Sequence, residues 1–483
     1  MAGTYVLAID QGTTSSRAVI YDADGRTVAG VNQEFPQHYP QPGWVEHDCE
    51  EIWQSVAAVV PKALAEARID ARELAAIGLT NQRETALIWD RATGRAEGRA
   101  LVWQDRRTTP FCREHRADEP WLHERTGLVL DPYFSATKWR WLLDQDPARR
   151  QRAEAGALAA GTVDSFLIWR LTGGQVHATD VTNASRTLLV NLHTGQWHKE
   201  LCRYFGVPEA LLPQIRPSAA DFGRTTNLGF LPAGIPIMGV AGDQQAALFG
   251  QCAFEPGEAK CTYGTGAFFL QHTGSKPVFS SHRLLTTIAA TRDDELQYAL
   301  EGSVFVAGAA VQWLRDGLRL LASAPEVEDL AAAADPEQPV IFVPALVGLG
   351  SPHWVPEARG VVFGLTRGTT KAEMARAALE GVAFQVADLI DAASADAGQA
   401  IGSLKADGGM ARNAWFLQCQ ADVLGLPVYR AAASESTALG AAFLAGLHAG
   451  LWPDLATLRG LVREAARFDP RLPDAERQRR RQQ

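Results

Sequence analysis

Two apolar runs near the start of the chain, Tyr5-Val6-Leu7-Ala8-Ile9 and Ala18-Val19-Ile20-Tyr21, flank a segment without an apolar side chain, Asp10-Gln11-Gly12-Thr13-Thr14-Ser15-Ser16-Arg17. The runs are rich in β-branched and aromatic residues and read as buried strands. The link between them combines a carboxylate, a glycine, hydroxyls and an arginine. Gly12 lets the backbone approach a ligand closely. The hydroxyls and turn N–H groups can surround phosphate oxygens as an anion-binding nest does. Asp10 can hold a hydrated Mg²⁺, which prefers carboxylate and water oxygens. An ordinary polar hairpin is the alternative. Hairpin links commonly have roughly two to five residues, so this longer hydroxyl-rich segment is expected to be a phosphate-binding turn.

A chain of 483 residues exceeds one typical core, so two domains are expected. Apolar residues make up 46% and charged residues 21%, a globular composition. No apolar stretch approaches the roughly 18 residues of a membrane helix, and the N-terminus enters the first strand without a basic, cleavable leader. The net charge of −9 argues against a nucleic-acid binder. The dense basic run Arg477-Gln478-Arg479-Arg480-Arg481 is expected to be a solvated, frayed tail. The cysteines, Cys49, Cys112, Cys202, Cys252, Cys261 and Cys419, include no C-x-x-C pair and read as reduced thiols of a cytoplasmic protein.

Strands alternate with helices along the chain, which points to α/β architecture. A helix is expected from Asp48, with Glu51 in the capping-box position and Ile52, Val56, Val59 and Val60 on one face. A second follows Thr370, with Glu373 in the box position, and a third runs from about Asn413 to Leu424, stopped by Gly425. Strand, hydroxyl-bearing turn and strand recur in Ala259–Leu270, around Thr262-Tyr263-Gly264-Thr265-Gly266. Two related lobes, each offering a phosphate loop to a shared cleft, are expected to meet near Gly250.

Three further segments carry chemistry. In Ala241-Gly242-Asp243-Gln244-Gln245, Asp243 follows an apolar strand, where α/β proteins often place ligands. It can take a proton from a hydroxyl nucleophile, or cap the following helix. Arg83-Glu84 sits in a link between strands, where such a pair is usually superficial. Beside Trp103 it offers a donor, an acceptor and a ring face, which suits a small polyol and rejects analogues that leave those groups unpaired. Asp407-Gly408-Gly409 would admit a flat ligand close to the backbone, with Asn413 available to a base or ribose. Walker and Rossmann glycine patterns are absent, so any nucleotide is held otherwise.

These segments, in this order, resemble the FGGY carbohydrate kinases. Tyr133–Gln145 resembles the family's first signature, with Ala136 where a glycine is common. Gly360–Leu365, continuing to Leu379-Glu380, resembles the second. The resemblance implies a two-lobed actin/hexokinase-like (ribonuclease H-like) α/β fold with an interdomain cleft. Domain 1–250 would carry the polyol site and first phosphate loop, and 251–483 the adenosine site and second phosphate loop. The segments around Gln82, Trp103, Asp131, Asp243 and Thr262 are most similar to members that phosphorylate glycerol. This implies ATP-dependent formation of sn-glycerol 3-phosphate, with Mg²⁺ at Asp10 and Asp243. Carried over, Arg83, Glu84, Tyr133, Asp243 and Gln244 would bond glycerol, Trp103 and Phe268 would pack on its carbons, and Asp243 would be the general base. Thr13, Thr14, Ser15, Arg17, Thr265, Gly308, Gln312, Gly409 and Asn413 would hold the nucleotide. Family members are commonly homodimers or homotetramers.

Two other readings stand beside this one: a kinase of this family for another polyol or a ketopentose, and a non-catalytic nucleotide clamp. The first would need a wider pocket than Arg83, Glu84, Trp103 and Phe268 suggest. The second would have no use for Asp243 and the polyol contacts. Many bacterial members carry a basic, glycine-rich segment before the Gly-Asp-Gln-Gln turn that binds fructose 1,6-bisphosphate. Here Thr225–Pro236 contains no Lys or Arg, and no histidine lies between His198 and His272 to serve a phosphotransferase protein. Adding fructose 1,6-bisphosphate to a steady-state assay is expected to leave the rate unchanged; clear inhibition would refute this.

Overall fold

The computed structural model describes residues 3–482 except 339, 356, 433 and 434. The opening runs form strands β1 (Tyr5–Gln11) and β2 (Ser15–Tyr21), paired antiparallel with Asp10 opposite Arg17 and Gln11 opposite Ser16. The Gly12 N–H bonds the Ser15 carbonyl at 2.9 Å, leaving Gly12-Thr13-Thr14 as the link. The segment is therefore a hairpin after all, shorter than its polar composition suggested. Ladder hydrogen bonds are made by backbone, so Asp10, Ser15, Ser16 and Arg17 enter the strands despite their polarity.

β1 and β2 continue into β3 (Thr27–Glu34) as an antiparallel meander, while β4 (Leu74–Asn81) and β5 (Ile237–Gly242) extend the sheet in parallel on the other side. The order is β5-β4-β1-β2-β3. Helix α1 (Cys49–Ala67) covers one face with Ile52, Val56, Val59 and Val60 fully buried. Asp48 caps it by accepting from the Glu50 and Glu51 N–H groups; Glu51 bonds His38 at 2.8 Å instead of closing a capping box.

The second half repeats this topology. Its sheet comprises β6 (Ala259–Tyr263), β7 (Ala267–Gly274), β8 (Leu285–Ile288), β9 (Tyr298–Val304), β10 (Leu404–Asp407), β11 (Val428–Ala431) and β12 (Glu464–Phe468). Within the order β8-β9-β7-β6-β10-β11-β12, the run β11-β10-β6-β7-β9 has the order and sense of the first sheet. The elements that matter for the site are α2 (Asp243–Gly250), α3 (Gly308–Gln312), α4 (Lys371–Ala397), α5 (Ala414–Leu424) and α6 (Ser436–His448). The Thr370–Glu373 capping box and the left-handed Gly425 at φ 70° are both present.

Position 250 separates the two sheets in sequence but not in packing. Helix α6, far along in the second half, lies against the first sheet, and Phe443, Leu444 and Ala445 share a core with Val6, Ala8, Tyr21 and Ala76. Glycines allow this approach. A Cβ on Gly440 would sit 1.8 Å from the Ala246 carbonyl oxygen of α2, and one on Gly78 of β4 would sit 2.2 Å from that of Ala441. The basic C-terminus also differs from the expected frayed tail. It forms helix α7 (Asp474–Gln482), whose arginines pair with acids, Arg480 with Glu476 of the same helix at 2.9 Å and Glu380 of α4 at 3.8 Å, and Arg481 with Asp388 of α4 at 3.6 Å. Opposite charge at matched spacing holds it down. Among the described residues no helix is long and apolar enough to cross a membrane, and all six cysteines are free. Gly440→Ala, which drives a methyl into backbone, is expected to cost about 3 kcal/mol of unfolding free energy, measured by urea denaturation.

Candidate active site

The segments that follow β4 and β5 meet strands β9 and β6 of the second sheet, through Arg83 with Glu301 and Gln244 with Lys260. Arg83 and Glu84 follow β4 after one residue, Gln82. Successive residues of an extended chain point to opposite sides, yet both side chains are buried, Arg83 Nε lying 4.0 Å from Glu84 Oε1. A left-handed backbone at Glu84, φ 60°, breaks the alternation, a conformation uncommon outside glycine and found at functional sites. The pair is not superficial. Arg83 donates to Glu301 on β9 through both terminal nitrogens, at 2.5 and 2.9 Å, and also to Gln245 at 3.1 Å. Arg186 donates to Glu84 at 2.6 Å and to Glu301 at 3.0 Å. Burial pushes the Glu301 carboxyl up, but Arg186 and Arg83 outweigh it and hold the group down at about 2. For Glu84 burial wins and the carboxyl is raised, against the pull of Arg186 and Arg83.

Asp243 is the first residue of α2, one position inside the cap, so it does not serve as the N-cap. One carboxylate oxygen, Oδ1, meets Arg83 Nε at 3.1 Å and accepts from the Gln244 N–H at 2.7 Å. The side chain is 31% exposed, which leaves it reachable by a ligand from solvent. Gln244 Oε1 accepts from Lys260 Nζ at 2.5 Å; Lys260, fully buried on β6, also donates to Thr262 Oγ1 at 2.9 Å. Burial lowers the Lys260 ammonium, opposed chiefly by Asp407. Asp10 lies near enough to feel Asp243. Burial raises its carboxyl to about 6, Arg17 opposes and the Asp243 charge adds. Two hard oxygen donors at such a site suit Mg²⁺, which takes one or two carboxylates plus water and phosphate and needs no all-protein cage; among the described residues there is no group of three or more acidic, His or Cys side chains that could hold a metal.

Trp103 joins the two halves of the first-lobe site. Its Nε1–H donates to Thr13 Oγ1 of the hairpin link at 2.9 Å, and its ring meets Tyr133 edge-on at 5.6 Å between centroids. Tyr133 is held from behind by Lys138, which donates to its carbonyl at 2.5 Å. Phe268 is half-buried on β7 of the second sheet, and its carbonyl lies 3.4 Å from Lys260 Nζ.

The residues expected to hold a nucleotide fall on both walls. Thr13, Thr14, Ser15 and Arg17 lie on the first hairpin, with Arg17 ion-paired to Glu435 just before α6. On the other wall the Ala307 and Ala309 N–H groups bond the Thr265 carbonyl at 2.9 and 3.0 Å, and Gly308 bonds the Gly264 carbonyl at 2.9 Å, so the second turn and the start of α3 are one unit. A Cβ on Gly308 would lie 2.6 Å from that carbonyl oxygen. Gln312 ends α3 and is exposed. Gly408 requires its φ of 90° and lack of Cβ, which would otherwise meet Tyr263 O at 2.5 Å, whereas a Cβ on Gly409 would face open space. Asn413 uses Oδ1 to cap α5 through the Phe416 N–H at 2.8 Å, leaving its amide nitrogen for a ligand.

Sequence reading missed Arg186, Lys260 and Glu301. The available signal was a lone charge inside an otherwise apolar strand, as in Tyr298-Ala299-Leu300-Glu301 and Ala259-Lys260-Cys261. Buried charges of that kind are found paired.

This fold and site define a two-lobed kinase class, and comparison with known proteins agrees. Residues 5–250 match the N-terminal domain of the FGGY family of carbohydrate kinases and residues 259–449 its C-terminal domain. The chain belongs to this family. It is similar to the glycerol kinase of Deinococcus radiodurans, 54% identical over 98% of this chain and 94% of that protein. It is likewise similar to the glycerol kinase of Methylobacterium nodulans, 56% identical over 98% and 95%. Among solved structures, Plasmodium falciparum glycerol kinase with ADP superposes with a TM-score of 0.93 at 37% identity, covering 98% of this chain and 96% of that one.

Replacing Lys260 by Met leaves Gln244, Thr262 and the Phe268 carbonyl without a common donor. The expected result is a fall on the order of tenfold in kcat/KM, read in steady-state kinetics on the folded variant.

Proposed function

We propose that this chain transfers the γ-phosphoryl group of ATP to a terminal hydroxyl of glycerol, giving sn-glycerol 3-phosphate. The carrying observation is the buried Arg83–Glu84 pair with Asp243 against Arg83 Nε. It presents a donor, an acceptor and a base, and with the Trp103 ring face these are the groups a small triol needs. The glycerol kinases it resembles at more than half identity over nearly their whole length support the same substrate, and the ADP in the Plasmodium structure supports a nucleotide phosphate donor.

In this reading Arg83, Glu84, Tyr133, Asp243 and Gln244 bond the hydroxyls, while Trp103 and Phe268 cover the carbons. Asp243 is the general base. Arg83 Nε engages its Oδ1, so Oδ2 is free to accept the proton of the attacking hydroxyl, within the reach such transfer requires. Phosphoryl transfer depends mainly on positioning and charge neutralisation. Thr13, Thr14, Ser15 and Arg17 on one wall, and Thr265 on the other, offer hydroxyl and guanidinium donors to the phosphates, while Gly308, its N–H bonded to the Gly264 carbonyl, keeps the nucleotide wall close-packed. Gly409 gives the adenosine a flat approach, with Gln312 and Asn413 at its margin. Asp10 and Asp243 would hold Mg²⁺, which when bound offsets the charge of the phosphates. Residues 1–250 then contribute the polyol site and first phosphate loop, and 251–483 the adenosine site and second phosphate loop. The walls can close on the substrates and exclude water, a competing acceptor.

The use of ATP and six free thiols accord with a cytoplasmic setting. Exposed apolar side chains at Val347, Val361, Phe363 and Leu365 accord with burial against another copy in a homodimer or homotetramer. Direct bisphosphate and phospho-histidine controls are absent in this reading.

The test is a panel of polyols and ketopentoses with ATP and Mg²⁺, read as ADP formation. Glycerol is expected to be preferred; preference for xylulose or ribulose would overturn the substrate. In the same assay Asp243→Asn is expected to lose at least about 100-fold in kcat. Undiminished turnover would remove Asp243 as the base.

A further inference from the structure

Glu301 lies in the middle of β9 of the second lobe and is completely buried. Both its oxygens are taken by arginines of the first lobe: Oε2 by Arg83 at 2.5 Å, Oε1 by Arg83 at 2.9 Å and by Arg186 at 3.0 Å. Arg186 in turn donates Nε to Glu84 Oε1 at 2.6 Å. The chain of contacts therefore runs Asp243–Arg83–Glu301–Arg186–Glu84, and it begins and ends on groups assigned to the polyol. Glu301 and Arg186 stand behind them.

We infer that Glu301 and Arg186 are positioning residues of the polyol site. Glu301 fixes the guanidinium plane of Arg83 and Arg186 fixes the carboxylate of Glu84, so that Glu84 Oε2 and the remaining Arg83 N–H are what the substrate meets. Because Glu301 belongs to the second sheet, the polyol site of the first lobe is complete only against the second. This rests on the substrate reading given above.

The physical need is specific. Arg83 has two carboxylates within 4.0 Å besides Glu301, namely Glu84 and Asp243. Those are the acceptors the substrate hydroxyls require. Without a stronger competitor, the guanidinium would swing onto them and satisfy the site internally. The fork-to-fork geometry of Arg83 on Glu301 is the strongest available pairing for a guanidinium, and it withdraws Arg83's terminal nitrogens from that competition. It also removes in advance the rotamer freedom of long side chains that would otherwise be lost on binding. A triol offers few contacts to offset that loss.

The test is a double-mutant cycle on the full-length enzyme with Glu301→Gln and Arg83→Lys, read as KM for glycerol, KM for ATP and kcat. Glu301→Gln keeps the side-chain shape and removes the charge. It is expected to lower kcat/KM for glycerol by roughly 30-fold or more, chiefly through KM for glycerol, with KM for ATP within about twofold of wild type. The double variant is expected to be no worse than the worse single one, because both act through one contact. Glu301→Asp, which restores the charge on a shorter arm, should lie between Glu301→Gln and wild type. Should Glu301→Gln not fold, Glu301→Asp and Arg186→Lys carry the same cycle. Unchanged KM for glycerol, losses that simply add, or a lowered melting temperature with both KM values intact would overturn the inference. A wild-type enzyme that prefers another polyol would instead overturn the substrate reading; the cycle on that polyol then decides the inference separately.

Discussion

The bidentate contact between Arg83 and Glu301 joins the two sheets at the site of chemistry. A buried charge pair is costly to desolvate, and it persists where geometry is good and the remaining donors and acceptors are filled. Here Arg186, Gln245, Glu84 and Asp243 fill most of them, and Arg186 Nη1 stays buried without a partner among the described residues. The unusual backbone at Glu84, the placement of Asp243 at the start of α2 and the burial of Arg186 all follow from satisfying that one cluster. Its members come from β4, α2, β9 and the segment around Arg186, so it forms only when the lobes are assembled.

A second tie works by shape. Glycines at 78, 239, 250 and 440 let α6 approach β4, β5 and α2 at backbone distance. The chain thus leaves the first lobe, builds the second and returns to complete the core of the first. The ion pair of Arg17 with Glu435 sits where this returning helix begins. The first hairpin and the far end of the chain are neighbours for this reason, although more than four hundred residues of the 483 lie between them.

Much of the architecture was legible in local patterns. The capping box at Thr370, the stop at Gly425, the apolar stripe of α1 and the repeated strand–turn–strand at Thr265 each depend on residues close in sequence, and each is present. The first turn was read as too long for a hairpin because polarity was taken to end the strands. The tail was read as frayed because its acidic partners, Glu380 and Asp388, lie on a helix about a hundred residues earlier. Arg83 and Glu84 stand out as candidate polyol ligands through their neighbours and their likeness to a family, while their burial is not legible in sequence.

By itself, the amino-acid sequence determined the α/β elements, the two hydroxyl- and glycine-bearing turns, the family and the set of side chains able to handle a polyol, a phosphate and a proton. These follow from periodicity, turn chemistry and residue type, all of which act over short spans. Tertiary structure alone decided that Glu301, Arg186 and Lys260 stand behind those side chains, that α6 belongs with the first sheet and that the basic tail is docked. Such contacts join residues tens to hundreds of positions apart. Their energy comes from burial and charge pairing, which exist only once the chain has closed on itself.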